Sequence, residues 1–294
     1  MCYNKGTKTK ERGDKNLMKK KQIYLVLDTE TATLNLAHTS HEISKQDFAL
    51  KKPLVYDIGW VLMDRQGNIL KRVNYIVQEI FFDTDIFNTA YYSDKRPKYY
   101  KALTKGKVEV RKWADIMEEL QTDLDKSHSV CAYNANFDFK RAIPYTERFM
   151  KAWYSDWFEW WEKNQFDNFV NKVKPESKAD DKYKLPIFEF RGKDYPIIDI
   201  WAVACDKLIN NKRYKKFCID NDYVGSMYFK TSAEIAYRYL QKELDFIEAH
   251  TALNDAEIES VILAKALKKG KVTPTLEFMP CRKLGTVKNF TKSA

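Results

Sequence analysis

The run 22–27 is apolar and β-branched and stops at Asp28, which reads as a buried strand with a carboxylate at its end. Residues 55–63 and Ile69–Val77 are two further strand-like runs flanking Asp64-Arg65-Gln66-Gly67-Asn68, a Gly-containing turn that predicts a hairpin. Then the period changes: Val110, Trp113, Ile116, Met117, Leu120 and Leu124 recur at helical spacing. Residues 129–133 form a short strand, and 134–143 open the next helix. A helix between two strands is the crossover that a parallel pair requires. Segments 196–210 and 231–240 read as helical, and Thr251 or Asn254 begins a last helix reaching Leu267. Three strands, then alternating helix and strand, then helices restrict the chain to an α/β fold with a mixed β-sheet flanked by helices.

Residues 83–107, rich in Tyr, Lys and Pro, read as loop with short helix, and 144–195 interrupt the α/β order. Within that stretch Phe149, Trp153, Trp157, Trp160, Trp161 and Asn164 fall on one side of a helix, and 186–196 look like a small hairpin around Arg191-Gly192-Lys193-Asp194. This predicts one domain over 21–270 with an aromatic-rich insertion at 144–195. The tryptophans read as a packing face, which helical spacing already explains, with a base-stacking surface as the alternative. Residues 1–20 are expected to be a disordered basic leader, with Met18 as a natural start, and 271–294 a basic C-terminal tail.

Charge is distributed unevenly. Residues 1–21 carry eight Lys/Arg against two acids and 264–294 eight against one, so with a net charge of +10 the middle of the chain is at −3. Basic ends suit a polyanionic partner and leave carboxylates for use inside. No apolar run approaches the ~20 residues of a membrane span. Five cysteines without a Cys-x-x-Cys spacing argue against a disulfide framework and for a cytoplasmic setting.

Three short motifs carry the chemistry. In Asp28-Thr29-Glu30 the carboxylates are two apart on a strand and share a face. Paired anions need a cation, and hard oxygen ligands suit Mg²⁺ or Mn²⁺. In Asn134-Ala135-Asn136-Phe137-Asp138, Asn134 is a natural N-cap and Asp138 lies in the first helical turn, at a strand end where α/β folds bind ligands. In His250-Thr251-Ala252-Leu253-Asn254-Asp255, a five-residue spacing puts the two side chains about 140° apart on a helix. They meet only if His250 precedes the helix and Asp255 lies in its opening turn. Asp199 reads as a cap or supporting residue, and His38 and His41 as loop residues.

Asp-x-Glu, Asn-x-x-Phe-Asp and His-x-x-x-x-Asp, in this order, resemble the DEDDh family of 3′–5′ exonucleases, which includes the epsilon proofreading subunit of bacterial DNA polymerase III. The resemblance covers about residues 22–268, and 231–267 look most like phage-type versions. It implies a ribonuclease H-like fold and metal-dependent hydrolysis at the 3′ end of single-stranded or frayed DNA, with nucleoside 5′-monophosphates released. It also implies two Mg²⁺ or Mn²⁺ ions shared by Asp28, completed by Glu30 and Asp255 on one side and held by Asp138 on the other. His250 becomes the general base, while Thr29, Thr31, Asn134 and Phe137 become contacts to the terminal nucleotide. A DNA polymerase or another replication protein is the implied protein partner, with no membrane association. An RNA-trimming exoribonuclease and a non-catalytic nucleic-acid- or polymerase-binding module are the alternatives. The loop after Thr33 and the 144–195 insertion are both longer than is usual in the family.

Overall fold

The computed structural model describes residues 22–33, 53–154 and 185–293. The leader, the 34–52 loop with His38 and His41, the side chain of Trp153, and Trp157, Trp160, Trp161 and Asn164 lie outside them. A seven-stranded mixed sheet organises the rest, in the order β4-β3-β2-β1-β5-β7-β6. The strands are β1 (Ile23–Thr33), β2 (Pro53–Asp64), β3 (Ile69–Val77), β4 (Glu109–Arg111), β5 (Ser129–Ala132), β6 (Ile187–Phe190) and β7 (Lys193–Asp199). Only β2 and β6 run against the others, since β1–β5, β5–β7 and β3–β4 are parallel pairs.

Alternation along β1 divides the core. Leu25 and Leu27 join an apolar cluster on one face with Trp60, Trp113, Ile116 and Phe139, while Tyr24 and Val26 join a second cluster on the other face. The first face is covered by α1 (Gln78–Phe81), α2 (Thr84–Phe87), α3 (Arg96–Thr104), α4 (Trp113–Leu124), the short α5 (Ala135–Phe137) and α6 (Ile143–Tyr154). The second is covered by α7 (Ile200–Lys207), α8 (Lys212–Asp220), α9 (Ala233–Gln241) and the long α10 (Ala252–Lys269). With helices on both sides, every residue of β2 is buried. Burial on two faces is why β2 reads as a continuous apolar run. No helix among the described residues is long and apolar enough to cross a membrane.

Several sequence expectations need correction. β1 does not end at Asp28; β2 pairs with it as far as Thr33, past a bulge between Glu30 and Thr31, so its backbone stays hydrogen-bonded. Val110 is not helical but pairs with Ile76 in an edge strand, and the helix starts at Trp113, whose N–H donates to the Glu79 carboxylate. Residues 196–199 are not helix: Ile197, Ile198 and Asp199 pair with β5, and Asp199 then caps α7 by accepting from Trp201 N. The expected small hairpin at 186–196 is present as β6–β7, and it extends the main sheet, with β6 at its edge and Met150 buried in the first cluster. The basic C-terminal segment is not a loose tail. Thr275 exchanges backbone hydrogen bonds with Ile197 and Asp199 (2.9 and 2.8 Å), and Cys281 and Leu284 are buried against the domain. Backbone pairing across a long sequence gap leaves no local pattern, so these segments carried no signal of it.

Candidate active site

Strands β1 and β5 are paired only from Tyr24 to Val26. Beyond that point β1 continues paired to β2 alone, at the carboxyl end of β5. Asp28 lies two residues past the last β1–β5 pair, on the same face as Tyr24 and Val26, towards α10. Glu30 continues that row.

The second face is closed by α10. Its first turn approaches β2 so tightly that a Cβ on Gly59, the cross-strand partner of Asp28, would lie 2.3 Å from Leu253 N. Asp57 ties the same region down, because its Oδ2 accepts from Ala252 N (3.1 Å) and from the Tyr99 hydroxyl (2.8 Å). His250 therefore sits in the loop before the helix and Asp255 in its opening turn, the arrangement that the five-residue spacing demanded. The histidine backbone is left-handed, with φ 50°.

Carboxylate oxygens of Glu30 and Asp255 and a ring nitrogen of His250 all lie within 4.8 Å of one another. Asp28 and Asp138 are not in that tightest group. Asp28 adjoins it electrically, since Asp138, Asp255 and Glu30 all act on its carboxyl. Asp138 arrives from the other side: it begins a π-turn (Asp138–Ala142) and accepts a 2.7 Å hydrogen bond from the buried Thr29 hydroxyl. Such turns are often found at functional sites.

Asn134 departs from expectation. It stands at the cap position but is left-handed (φ 67°), and its side chain makes no capping hydrogen bond. Its backbone N–H donates to Asp199 instead (3.3 Å). Thr29 is committed to Asp138 rather than open to a ligand, Thr31 is partly buried, and Phe137 packs partly against the core with the Arg141 guanidinium over its ring. Asp199 behaves as a cap, as its sequence position suggested.

Glu259 is the group that sequence reasoning missed. It follows Asp255 by four residues, so the two share a face of α10. Glu259 is buried, accepts from Tyr133 N (3.0 Å), and is the strongest like charge acting on Asp28. The Asp-x-x-x-Glu spacing was visible, but in a helix it usually marks a solvated face. Glu248 and Asp57 also border the cluster.

Loss of hydration is the main cause raising these acids, with mutual repulsion second. Glu30 is pushed up to about 8, Asp255 to about 9, Glu248 to about 7 and Asp138 to about 7, the last despite the Thr29 hydrogen bond. Asp28 and Glu259 are also pushed well above the carboxylate range. Lys95 partly offsets the field at Glu30 and Asp255. Asp255 Oδ1 is buried and has no hydrogen-bond partner among the described residues. An orphaned buried oxygen beside raised carboxylates offers the hard oxygen ligands that a divalent cation could take.

No protein-family model matches the sequence, and no curated protein is significantly similar to it.

Raised carboxyls couple the stability of the fold to pH. In metal-free protein the folded state holds more protons than the unfolded one above about pH 4, the ordinary carboxylate range. Stability therefore falls as pH rises from there to about 9, where Asp255 ionises. A cation bound there would replace those protons. At pH 8, Mn²⁺ at 100 times its Kd is expected to add about 2.7 kcal/mol, on the order of 5–10 °C in Tm, and distinctly less at pH 5. Thermal melts in Mn²⁺ and in chelator at both pH values check this. Equal melting temperatures with and without the ion at pH 8 would refute a cation site.

Proposed function

We propose that the chain is a metal-dependent 3′–5′ exonuclease of the DEDDh type, acting on the 3′ end of single-stranded or frayed DNA and releasing nucleoside 5′-monophosphates. The observation that carries this reading is the meeting of Glu30, His250 and Asp255, with Asp28 and Asp138 adjoining, at the carboxyl ends of the parallel strands. The strand order supports the ribonuclease H-like fold that the motifs imply: an antiparallel β1–β2–β3 meander, with β5 and β7 added in parallel beyond β1.

In this reading Asp28, Glu30, Asp138 and Asp255 hold two Mg²⁺ or Mn²⁺ ions. Bound there, such ions supply an acidified water and charge stabilisation at the scissile phosphate. His250 Nδ1 lies 3.6 Å from Glu248 Oε2, leaving the other ring nitrogen to receive the proton of the attacking water. Burial, then the nearby Lys95 charge, holds the imidazole below its ordinary pKa, so it is neutral and able to accept at neutral pH. Glu259 holds Tyr133 N, and through it the turn that delivers Asp138. Thr31, Asn134, Phe137 and the Thr29 backbone border the place for the terminal nucleotide. The flanking basic segments suit a polyanion, and a polymerase or other replication protein is the partner class. The buried free thiols of Cys131, Cys205, Cys218 and Cys281 agree with a reducing, cytoplasmic setting.

The test uses 5′-labelled DNA and RNA single strands with Mg²⁺ or Mn²⁺, with and without chelator. Stepwise shortening of DNA that stops in chelator is the expected result. Shortening of RNA alone would reassign the substrate, and binding without shortening of either would leave a nucleic-acid-binding module.

A further inference from the structure

The motifs leave the segment around residues 90–99 without a role, yet it forms a wall beside His250. Ser93–Lys95 is a 3-10 turn, in which residues three apart eclipse one another. Tyr92 and Lys95 are so spaced, and the Lys95 ammonium lies 3.9 Å from the centre of the Tyr92 ring. The same ammonium donates to Ala249 O at 3.1 Å, the carbonyl that precedes His250. The Tyr92 ring stacks on the His250 imidazole, with centroids 4.6 Å apart and planes 16° from parallel. One residue pair thus holds both the backbone and the ring of the histidine.

The wall is itself anchored. Ser93 N donates to Ala90 O, the Arg96 guanidinium lies over the Phe87 ring, and the Tyr99 hydroxyl shares Asp57 with the first amide of α10. His250 needs such support. A left-handed histidine is strained, and such conformations persist only where the surroundings over-determine them.

We propose that Tyr92 and Lys95 are positioning residues that brace His250 for proton transfer: the ring sets the imidazole plane and the ammonium sets the left-handed backbone. The catalytic half of this rests on the nuclease reading; the brace itself does not. Both side chains are only partly buried, so their replacement leaves the core intact.

The experiment compares Tyr92→Ala, Tyr92→Phe and Lys95→Met in the full chain. In chelator, amide hydrogen exchange over 249–252 is expected to be roughly 10-fold faster in Tyr92→Ala and Lys95→Met and close to the parent in Tyr92→Phe. With metal and DNA, kcat is expected to fall roughly 10- to 100-fold in the first two with KM little changed, and to be rescued in Tyr92→Phe. On a His250→Gln background Tyr92→Ala is expected to add no further loss. Unchanged exchange overturns the brace. In an active enzyme, an unchanged kcat or an equal further loss without His250 overturns it too. If the parent protein cleaves nothing, the nuclease reading falls, and exchange alone decides the brace.

Discussion

Asp28→Asn is expected to fold at least as well as the parent chain and to hydrolyse nothing. The substitution keeps shape and removes a carboxyl that ionises only against lost hydration and the repulsion of Glu259, Asp138, Asp255 and Glu30. In chelator at pH 8 that repulsion and the loss of hydration act against the folded state, so Tm is expected to hold or rise. On the nuclease reading the ionised carboxylate holds the cations in Mg²⁺ or Mn²⁺, and an amide does not replace it. A fall in kcat of roughly 10³-fold or more corresponds to about 4 kcal/mol of lost transition-state stabilisation. The two readouts must move apart. Parental turnover would remove Asp28 from the site, and a parallel collapse of Tm in chelator would mean that its role is structural.

Gly59→Ala should produce the opposite pattern: a residue outside the motifs along the chain, but paired with Asp28, whose loss damages both fold and site. The added methyl would lie 2.3 Å from Leu253 N, 2.5 Å from Leu253 Cα and 2.7 Å from the Ala252 carbonyl carbon, all of them backbone. A side chain tip can swing aside, but the first turn of a helix cannot. Overpacking costs about 1–3 kcal/mol, and a backbone clash belongs at the upper end. At ~2–4 °C per kcal/mol this is a loss of roughly 6–12 °C in Tm. Because α10 must retreat, Asp255 moves with it. The Mn²⁺-induced rise in Tm at pH 8 should therefore shrink as well. A melting temperature and metal response equal to the parent would show that α10 does not depend on this close approach.

The carboxylates of β1 were legible because strand alternation is a local rule, and so was the placement of His250 before a helix that starts near Asp255. Where reading failed, the cause was distant pairing. Nothing near Asp28 indicates that β1 continues to Thr33, since the partner that extends it is β2. Nothing near residue 198 indicates a strand rather than a helix, because β5 and Thr275 supply its hydrogen bonds. Glu259 carries the right spacing from Asp255, but only the burial of that helix face turns an ordinary acidic residue into a fifth carboxylate at the site. Tyr92 and Lys95 stand more than 150 residues before His250, a distance that no pattern along the chain can bridge.

Residue order alone was enough for the α/β class, the β1–β3 meander and the list of candidate acids, since each depends on neighbours a few positions apart. The convergence of Glu30, Asp255 and His250, the recruitment of Glu259 and the bracing of the histidine arise from how α10 packs on the sheet. Packing turns on the space left above Gly59 and on the shared carboxylate of Asp57, and such long-range steric and hydrogen-bond constraints exist only once the chain has closed on itself.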